Sequence, residues 1–320
     1  MSRADTRAAP TTRFFLHLLK LGLRCQASLQ RIALRVPAVA GSDKLQRVRF
    51  DGALLARRDC WTPKNMHITL KDEVAVITGG SRGIGAATVK VFVAAGAKVV
   101  FNYQRANRAA KKVIESCKGL EGQAFAERAD VSSMADARRL VEAAVSRFGK
   151  LDILVANAGI WNYHPLPIEK VTEKQWDEMM AVNLKGVYSL VHHAVPQMIR
   201  RKGGRIIVVS STAGQRGEAF HTHYGASKGA LISLVKGLST ELARHRILVN
   251  CVAPGWVETD MSTAVLSNRR EYKEAISAIP LRRFAQPEEI ALPILFLASR
   301  MATFITGEIL NVNGGSVLCG

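Results

Sequence analysis

The chain has 320 residues, 48% of them hydrophobic and only 6% aromatic, with a formal net charge of +19. That length suits one large α/β domain with an appendage, and no run of about 18 apolar residues is present to form a membrane-spanning helix. The positive charge suits phosphate-bearing ligands, but no helix-turn-helix, zinc-finger or RNA-stacking pattern accompanies it, so nucleic acid is not an expected partner.

Residues 1–65 hold 13 Lys/Arg against 4 Asp/Glu, so a fifth of the chain carries almost half of the excess. Arg13, Lys20, Arg24, Arg31 and Arg35 recur near the helical period, with Phe14, Phe15, Leu18, Leu21 and Leu29 between them. This pattern is that of a basic amphipathic segment or a mitochondrial transit peptide, although Ser is scarce for the latter. We read residues 1–65 as a basic extension, disordered or a leader, and residues 66–320 as a single domain. A cytoplasmic location is expected, or a mitochondrial one if the extension is a transit peptide. The five cysteines are scattered without CxxC spacing, which predicts reduced thiols and no metal site.

The domain opens with an apolar strand, Val74 to Thr78. The turn Gly79-Gly80-Ser81-Arg82-Gly83-Ile84-Gly85 follows, then a helical pattern to Ala95. Strand, glycine turn and helix together predict a phosphate-binding opening, in which main-chain N–H groups and a helix N-terminus face a pyrophosphate. The next strand, Lys98 to Tyr103, does not end in the acid that would bond a ribose 2′-OH. Asn102, Tyr103, Gln104 and Arg105 stand there, and Arg82 and Arg105 can both face a 2′-phosphate. NADP(H) is therefore expected in preference to NAD(H). After a third strand, Asp130 and Val131 follow; Asp130 can accept from an adenine amino group or cap the helix starting near Ser132, and the sequence leaves both open. A fourth strand, Asp152 to Ala156, runs into Asn157, Ala158 and Gly159, small enough for a ligand to approach closely.

Thr172 to Arg200 reads as one long helix capped by Thr172, with Pro196 as its expected kink and Asn183 inside it. The apolar run Arg205 to Ser210 predicts a buried strand, and Ser211 lies just beyond it. Tyr224 and Lys228, four apart, share one helix face. A hydroxyl, a phenol and an ammonium meeting over one carbonyl have a definite chemistry. Tyr224 supplies the proton when a ketone is reduced, Lys228 together with the positive nicotinamide of an oxidised cofactor brings the phenol pKa down, and Ser211 donates to the substrate oxygen. His221 and His223 lie close by, but no G-x-S-x-G turn surrounds Ser211, so a hydrolase is not favoured and the histidines are expected to line the substrate entrance. A sixth strand, Ile247 to Val252, leads to Pro254, Gly255, Val257 and Thr259. Residues 262–282, polar and charged, are expected to form a mobile substrate lid. Lys202, Arg244 and Arg246 offer basic surface expected near the site.

The pattern Thr78-Gly79-x-x-x-Gly83-x-Gly85, Asp130-Val131, Asn157-Ala158-Gly159, Asn183, Ser211, Tyr224-x-x-x-Lys228 and Pro254-Gly255 resembles the short-chain dehydrogenase/reductase family over residues 68–317. The 3-oxoacyl-[acyl-carrier-protein] reductases are the most similar subgroup. The resemblance implies a single doubly wound Rossmann-type α/β domain with a seven-stranded, mostly parallel sheet flanked by helices. It further implies a homotetramer, a catalytic role for Asn183 in a proton-relaying water site, and a bond from Lys228 to the nicotinamide ribose. By the same resemblance Pro254 and Gly255 flank the nicotinamide, whose carboxamide bonds Val257 and Thr259. The implied reaction is NADPH-dependent reduction of a ketone, with a 3-oxoacyl group on acyl-carrier protein as leading substrate. The alternatives are a sugar, steroid or small-alcohol dehydrogenase, or a noncatalytic NADP-binding protein.

Overall fold

Strand β1, Val74–Ile77, is buried at every position in the computed structural model, which describes residues 67–319. The extension assigned to residues 1–65 lies outside the described residues. The β1 side chains alternate between two apolar layers: Val74 and Val76 enter one, Ala75 and Ile77 the other. A strand covered on both faces needs apolar residues throughout, which explains why the run is continuous and not alternating.

The chain then builds α1 (Gly83–Ala94), β2 (Lys98–Tyr103), α2 (Asn107–Ser116), β3 (Gln123–Arg128), α3 (Met134–Phe148) and β4 (Ile153–Ala156). The second half adds α4 (Glu173–Met180), α5 (Gly186–Arg200), β5 (Gly204–Val209), α6 (Thr212–Arg216), α7 (Thr222–Leu242) and β6 (Ile247–Pro254). Two short helices, α8 (Thr263–Ser267) and α9 (Arg269–Ser277), precede α10 (Pro287–Ala298) and β7 (Ile309–Val312). The seven strands lie in the order β3-β2-β1-β4-β5-β6-β7, and every pairing is parallel. The expected sheet is therefore present, with no antiparallel member. The order reverses between β1 and β4, and a ligand crevice opens at the carboxyl ends of strands at such a point. One face is closed by Phe92, Val93, Ile290 and Ile294 from α1 and α10, the other by Leu140, Leu190, Leu231 and Val235 from α3, α5 and α7.

The long helix expected over Thr172–Arg200 is divided. Thr172 caps α4 through a reciprocal bond with Gln175. The break falls at a π turn, Ala181–Lys185, where the Gly186 N–H donates to the Ala181 carbonyl, and Pro196 is accommodated inside α5. Asn183, at the centre of that turn, is fully buried. π turns of this kind often mark functional positions.

Candidate active site

The glycine turn after β1 is shaped by steric demand. Gly79 and Gly83 adopt φ of +69° and +53°, a left-handed region that favours glycine. A Cβ on Gly85 would stand 2.1 Å from the Gly79 carbonyl oxygen. Helix α1 starts at Gly83 without a side-chain cap and without an acid in its first turn. Its N-terminal N–H groups and the positive end of its dipole thus face the crevice between β1 and β4, a setting that fits a pyrophosphate. The turn is braced from behind. Thr78 Oγ1 accepts from the N–H groups of Asn157 and Ala158 at 3.0 and 3.1 Å, and Asn157 Nδ2 returns a bond to the Thr78 carbonyl at 2.8 Å. Asn102 is also buried here. Its Oδ1 accepts from Gly79 N at 2.8 Å and its Nδ2 donates to Ala129 O at 2.8 Å, so its amide holds the turn and is not left facing a ribose.

Asp130 does not cap the next helix. Ser133 does, accepting from Asp136 N. The Asp130 carboxylate accepts from Ser132 N and Oγ on one oxygen and from Gln104 Nε2 on the other. Burial acts to raise its pKa, but these hydrogen bonds outweigh burial and hold the carboxyl below the usual range. Arg105 is exposed at the end of β2, and Arg82 lies 3.5 Å from Asp260 across the mouth of the crevice, with both partners largely in solvent.

The reactive groups meet at the carboxyl end of β5. Ser211 caps α6, its Oγ accepting from Ala213 N at 3.1 Å, which leaves the hydroxyl proton free to be donated. Cap and donor are thus compatible roles for one side chain. The neighbouring Ser210 is committed elsewhere, donating to the Lys228 carbonyl at 2.8 Å. Tyr224 and Lys228 are both buried in α7. Burial pushes the Tyr224 phenol up to about 12, opposed by a hydrogen bond with Ser211. Burial also brings the Lys228 ammonium down to about 8. In the chain by itself desolvation dominates both groups. Lys228 Nζ donates to Val209 O at 2.9 Å, and a Cβ placed on Gly159 would lie 3.3 Å from that Nζ and 3.2 Å from Asn183 Oδ1. Asn183 uses its whole amide: Oδ1 accepts from Ile160 N, while Nδ2 faces Ile160 O, Met179 Sδ and Ser227 Oγ at 3.0–3.1 Å. It ties the π turn to the loop after β4 and to α7, so any relay water would have to be met by the main chain of the π turn. Among the described residues no His/Cys/Asp/Glu cluster could hold a metal.

A family model described as enoyl-(acyl carrier protein) reductase matches residues 79–316. The 3-oxoacyl-[acyl-carrier-protein] reductase FabG of Staphylococcus aureus is 39% identical over 75% of this chain and 96% of its own length. The enzyme of the same name from Thermotoga maritima is 37% identical over 78% of this chain and 99% of its own. Among solved structures, a dehydrogenase/reductase from Sinorhizobium meliloti superposes with a TM-score of 0.73 at 35% identity, covering 78% of this chain and 97% of that one. A short-chain glucose/ribitol dehydrogenase from Brucella melitensis gives 0.71 at 35%, covering 78% and 98%. The chain belongs to the short-chain dehydrogenase/reductase family. It is an oxidoreductase acting on CH–OH groups, of a family that uses a nicotinamide cofactor.

As a short-chain dehydrogenase/reductase, the protein brings the loop after β6 over the glycine turn. A Cβ on Gly83 would stand 3.1 Å from Thr259 Cγ2. Ser262 Oγ accepts from Thr259 N at 3.0 Å and donates to Val257 O at 2.6 Å, fixing the main chain after Pro254 and Gly255. The Thr259 N–H is thereby occupied. The stretch expected to be a polar lid folds as α8 and α9, whose Val265, Tyr272 and Ile276 pack, with Ile279 just beyond them, around Phe284, Trp256 and Trp161. Trp161 and Tyr163 lie outside every motif of the sequence. A large aromatic two residues beyond the small run Asn157-Ala158-Gly159 was the signal available for Trp161. His221 is buried and stacks on Trp161 with centroids 5.1 Å apart, while His223 is buried and lowered in pKa by burial. His223 is therefore interior and does not line the entrance.

The basic group Lys202, Arg244 and Arg246 is not near this site. These residues precede β5 and β6, at the amino end of the sheet, whereas Ser211 follows β5 at the carboxyl end. There Lys202 and Arg246 line a cleft with Arg201 and Arg205, which pair with Asp152 and Glu73. Cations also suit the negative ends of α5 and of the turn after α7, which terminate there.

Proposed function

We propose that the protein reduces the 3-oxo group of an acyl thioester, carried by acyl-carrier protein, to a secondary alcohol with NADPH. The observation that carries this reading is the convergence of Ser211, Tyr224 and Lys228, at the end of β5, beside a glycine cradle in a chain whose relatives bear that enzyme's name. The nicotinamide, when bound, supplies the hydride to carbon 3. Ser211 donates a hydrogen bond to the substrate oxygen, and Tyr224 gives the proton that the developing alkoxide takes up. Lys228 holds positive charge behind the phenol and bonds the nicotinamide ribose, while Asn183 fixes the main chain that positions a relay water. Thr78, Asn102 and Asn157 shape the phosphate turn formed by Gly79, Ser81, Arg82, Gly83, Ile84 and Gly85. Asp130 and Val131 flank the adenine, Ala158 and Gly159 border the ribose, and Val257 and Thr259 face the carboxamide.

NADPH is preferred over NADH in this reading because Arg82 and Arg105 are exposed at the crevice and no acid ends β2. A homotetramer is supported by the half-exposed Tyr188 on α5 and Leu292 on α10, and by the fully exposed Phe304 before the edge strand β7. Sedimentation of the purified chain tests this. A cytoplasmic location goes with reading residues 1–65 as other than a transit peptide, which mass spectrometry of the mature N-terminus tests.

The deciding experiment assays acetoacetyl, crotonyl, sugar and steroid substrates with NADPH and NADH in parallel. Turnover of the acetoacetyl thioester with NADPH is expected. Turnover confined to the crotonyl thioester, or to sugars or steroids, would overturn the reading.

A further inference from the structure

Trp161 lies in the loop after β4 and Trp256 in the loop after β6, yet their rings meet edge to face with centroids 5.9 Å apart. Strands β4 and β6 flank β5, which delivers Ser211. The ring pair therefore bridges the carboxyl end of the very strand that carries the reactive hydroxyl. Trp161 packs against the cluster containing Tyr224, Ala213 and Met179, and its other neighbour, His221, stands one turn before Tyr224. Trp256 stacks on Phe284 at 5.3 Å, and Tyr272 of α9 leans on the same ring at 5.4 Å. A continuous aromatic wall thus runs from the catalytic helix to the lid. The Tyr163 hydroxyl pins it, lying 2.9 and 3.0 Å from the two Glu271 carboxylate oxygens and so tying the loop after β4 to α9.

We propose that Trp161 and Trp256 are an acyl-length gate, so that the enzyme takes short 3-oxoacyl chains and turns away long ones. This inference rests on the function proposed above. The 3-oxo carbon must reach Ser211 and Tyr224, so whatever extends beyond it meets the ring pair. A methyl group asks for little space there. A long alkyl tail must part the two indoles, losing their edge-to-face contact, and must drag the pinned lid with them. The rings are held from both sides, Trp161 by His221 and Trp256 by Phe284, so neither turns aside without breaking a second stack. The short acyl group has an apolar aromatic surface to bind and no such displacement to make.

The test measures kcat/KM of the full chain with NADPH on a four-carbon and a twelve-carbon 3-oxoacyl thioester of the same carrier. The wild type is expected to prefer the short chain by at least about tenfold, the scale at which a pocket discriminates a single methylene. Trp161→Ala is expected to bring that ratio close to one, as is Trp256→Leu, which keeps more of the apolar packing should the alanine variant fold poorly. Trp161→Phe, which keeps a ring, is expected to retain most of the preference. Equal wild-type efficiency on both thioesters overturns the gate. So does a ratio unchanged in both opening variants, or loss of turnover on both chains in folded variants. Failure of the wild type on both thioesters is a different result, because it refutes the proposed function itself.

Discussion

Lys228 Nζ donates to the carbonyl of Val209 at 2.9 Å, and Val209 is the last residue of the strand that delivers Ser211. This one bond joins α7 to β5 and fixes Tyr224 relative to Ser211. It also leaves a buried ammonium with a neutral partner, and burial brings its pKa down from 10.5 to about 8. Between those two values the unfolded chain binds the proton and the folded chain does not, so this group's contribution to stability rises with pH. It is complete above 10.5 and is lost as pH falls through 8. We predict that Lys228→Met raises the unfolding temperature at pH 7, abolishes turnover, and gains less and less over the wild type as pH rises from 8 to 10. Calorimetry across that range checks it, and a gain independent of pH would refute the assigned cause.

Tyr224 and Ser211 separate by what each loses. Tyr224→Phe removes the proposed acid and nothing that caps or packs the helix, so kcat is expected to fall by about 10³ or more with the unfolding temperature nearly unchanged. Ser211→Ala removes the proposed substrate donor and also the cap of α6. A loss of about 10²-fold in kcat is expected together with about 1 kcal/mol of stability. Single-turnover kinetics and denaturant titration of both variants read the two effects independently. Full turnover by Tyr224→Phe would refute the acid role.

Much of this was visible in the sequence, for physical reasons that also explain what was not. Val74 to Thr78 followed by Gly79, Gly83 and Gly85 can be read because a doubly buried strand must be apolar and a tight turn needs glycine. Tyr224 and Lys228 are legible because helical spacing alone puts them on one face. The π turn at Asn183 is not, since it depends on partners 23 and 44 residues away, Ile160 and Ser227. The lid looks polar in sequence because Val265, Tyr272, Ile276 and Ile279 are few among many Arg and Glu, and acquire an apolar context only when Trp161 and Trp256 arrive. Lys202, Arg244 and Arg246 lie next to β5 and β6 in sequence, which does not say at which end of those strands they stand. In a parallel sheet the residues before a strand and those after it lie at opposite ends, and these three come before.

The amide of Asn183 is buried with every polar atom bonded, so it cannot be removed without orphaning main-chain groups. Asn183→Ala leaves Ile160 N and O without those bonds and is expected to cost about 2–4 kcal/mol. Asn183→Asp keeps the acceptor for Ile160 N but sets a buried carboxylate against the Ile160 carbonyl, and a loss at least as large is expected. Gly159→Ala tests the same junction from the other side, because its methyl would stand 3.2 Å from Asn183 Oδ1 and 3.3 Å from Lys228 Nζ. Turnover is expected to fall by about tenfold with a modest change in stability, since displacing a catalytic group slightly is costly to rate. Equilibrium unfolding and kcat, measured side by side, distinguish the two variants.

Arg82 sits in the glycine turn with its guanidinium 3.5 Å from Asp260, both side chains about two-thirds exposed, so the pair adds little to stability. Its guanidinium is therefore free to exchange Asp260 for a phosphate dianion, a partner of higher charge that accepts two parallel bonds. Arg105 just beyond β2 is exposed as well and forms no ion pair with a carboxylate among the described residues. If these two residues read the 2′-phosphate, replacing them weakens NADPH and leaves NADH nearly untouched. Arg105→Gln is expected to raise KM for NADPH by about tenfold with kcat preserved, and the Arg82→Gln/Arg105→Gln pair by more, at the scale of one or two charge-assisted bonds. The preference for NADPH over NADH should also shrink as salt is raised, because both cations lie at the surface. Parallel titrations with the two cofactors check this, and an equal rise in KM for both would assign the arginines to the shared pyrophosphate instead.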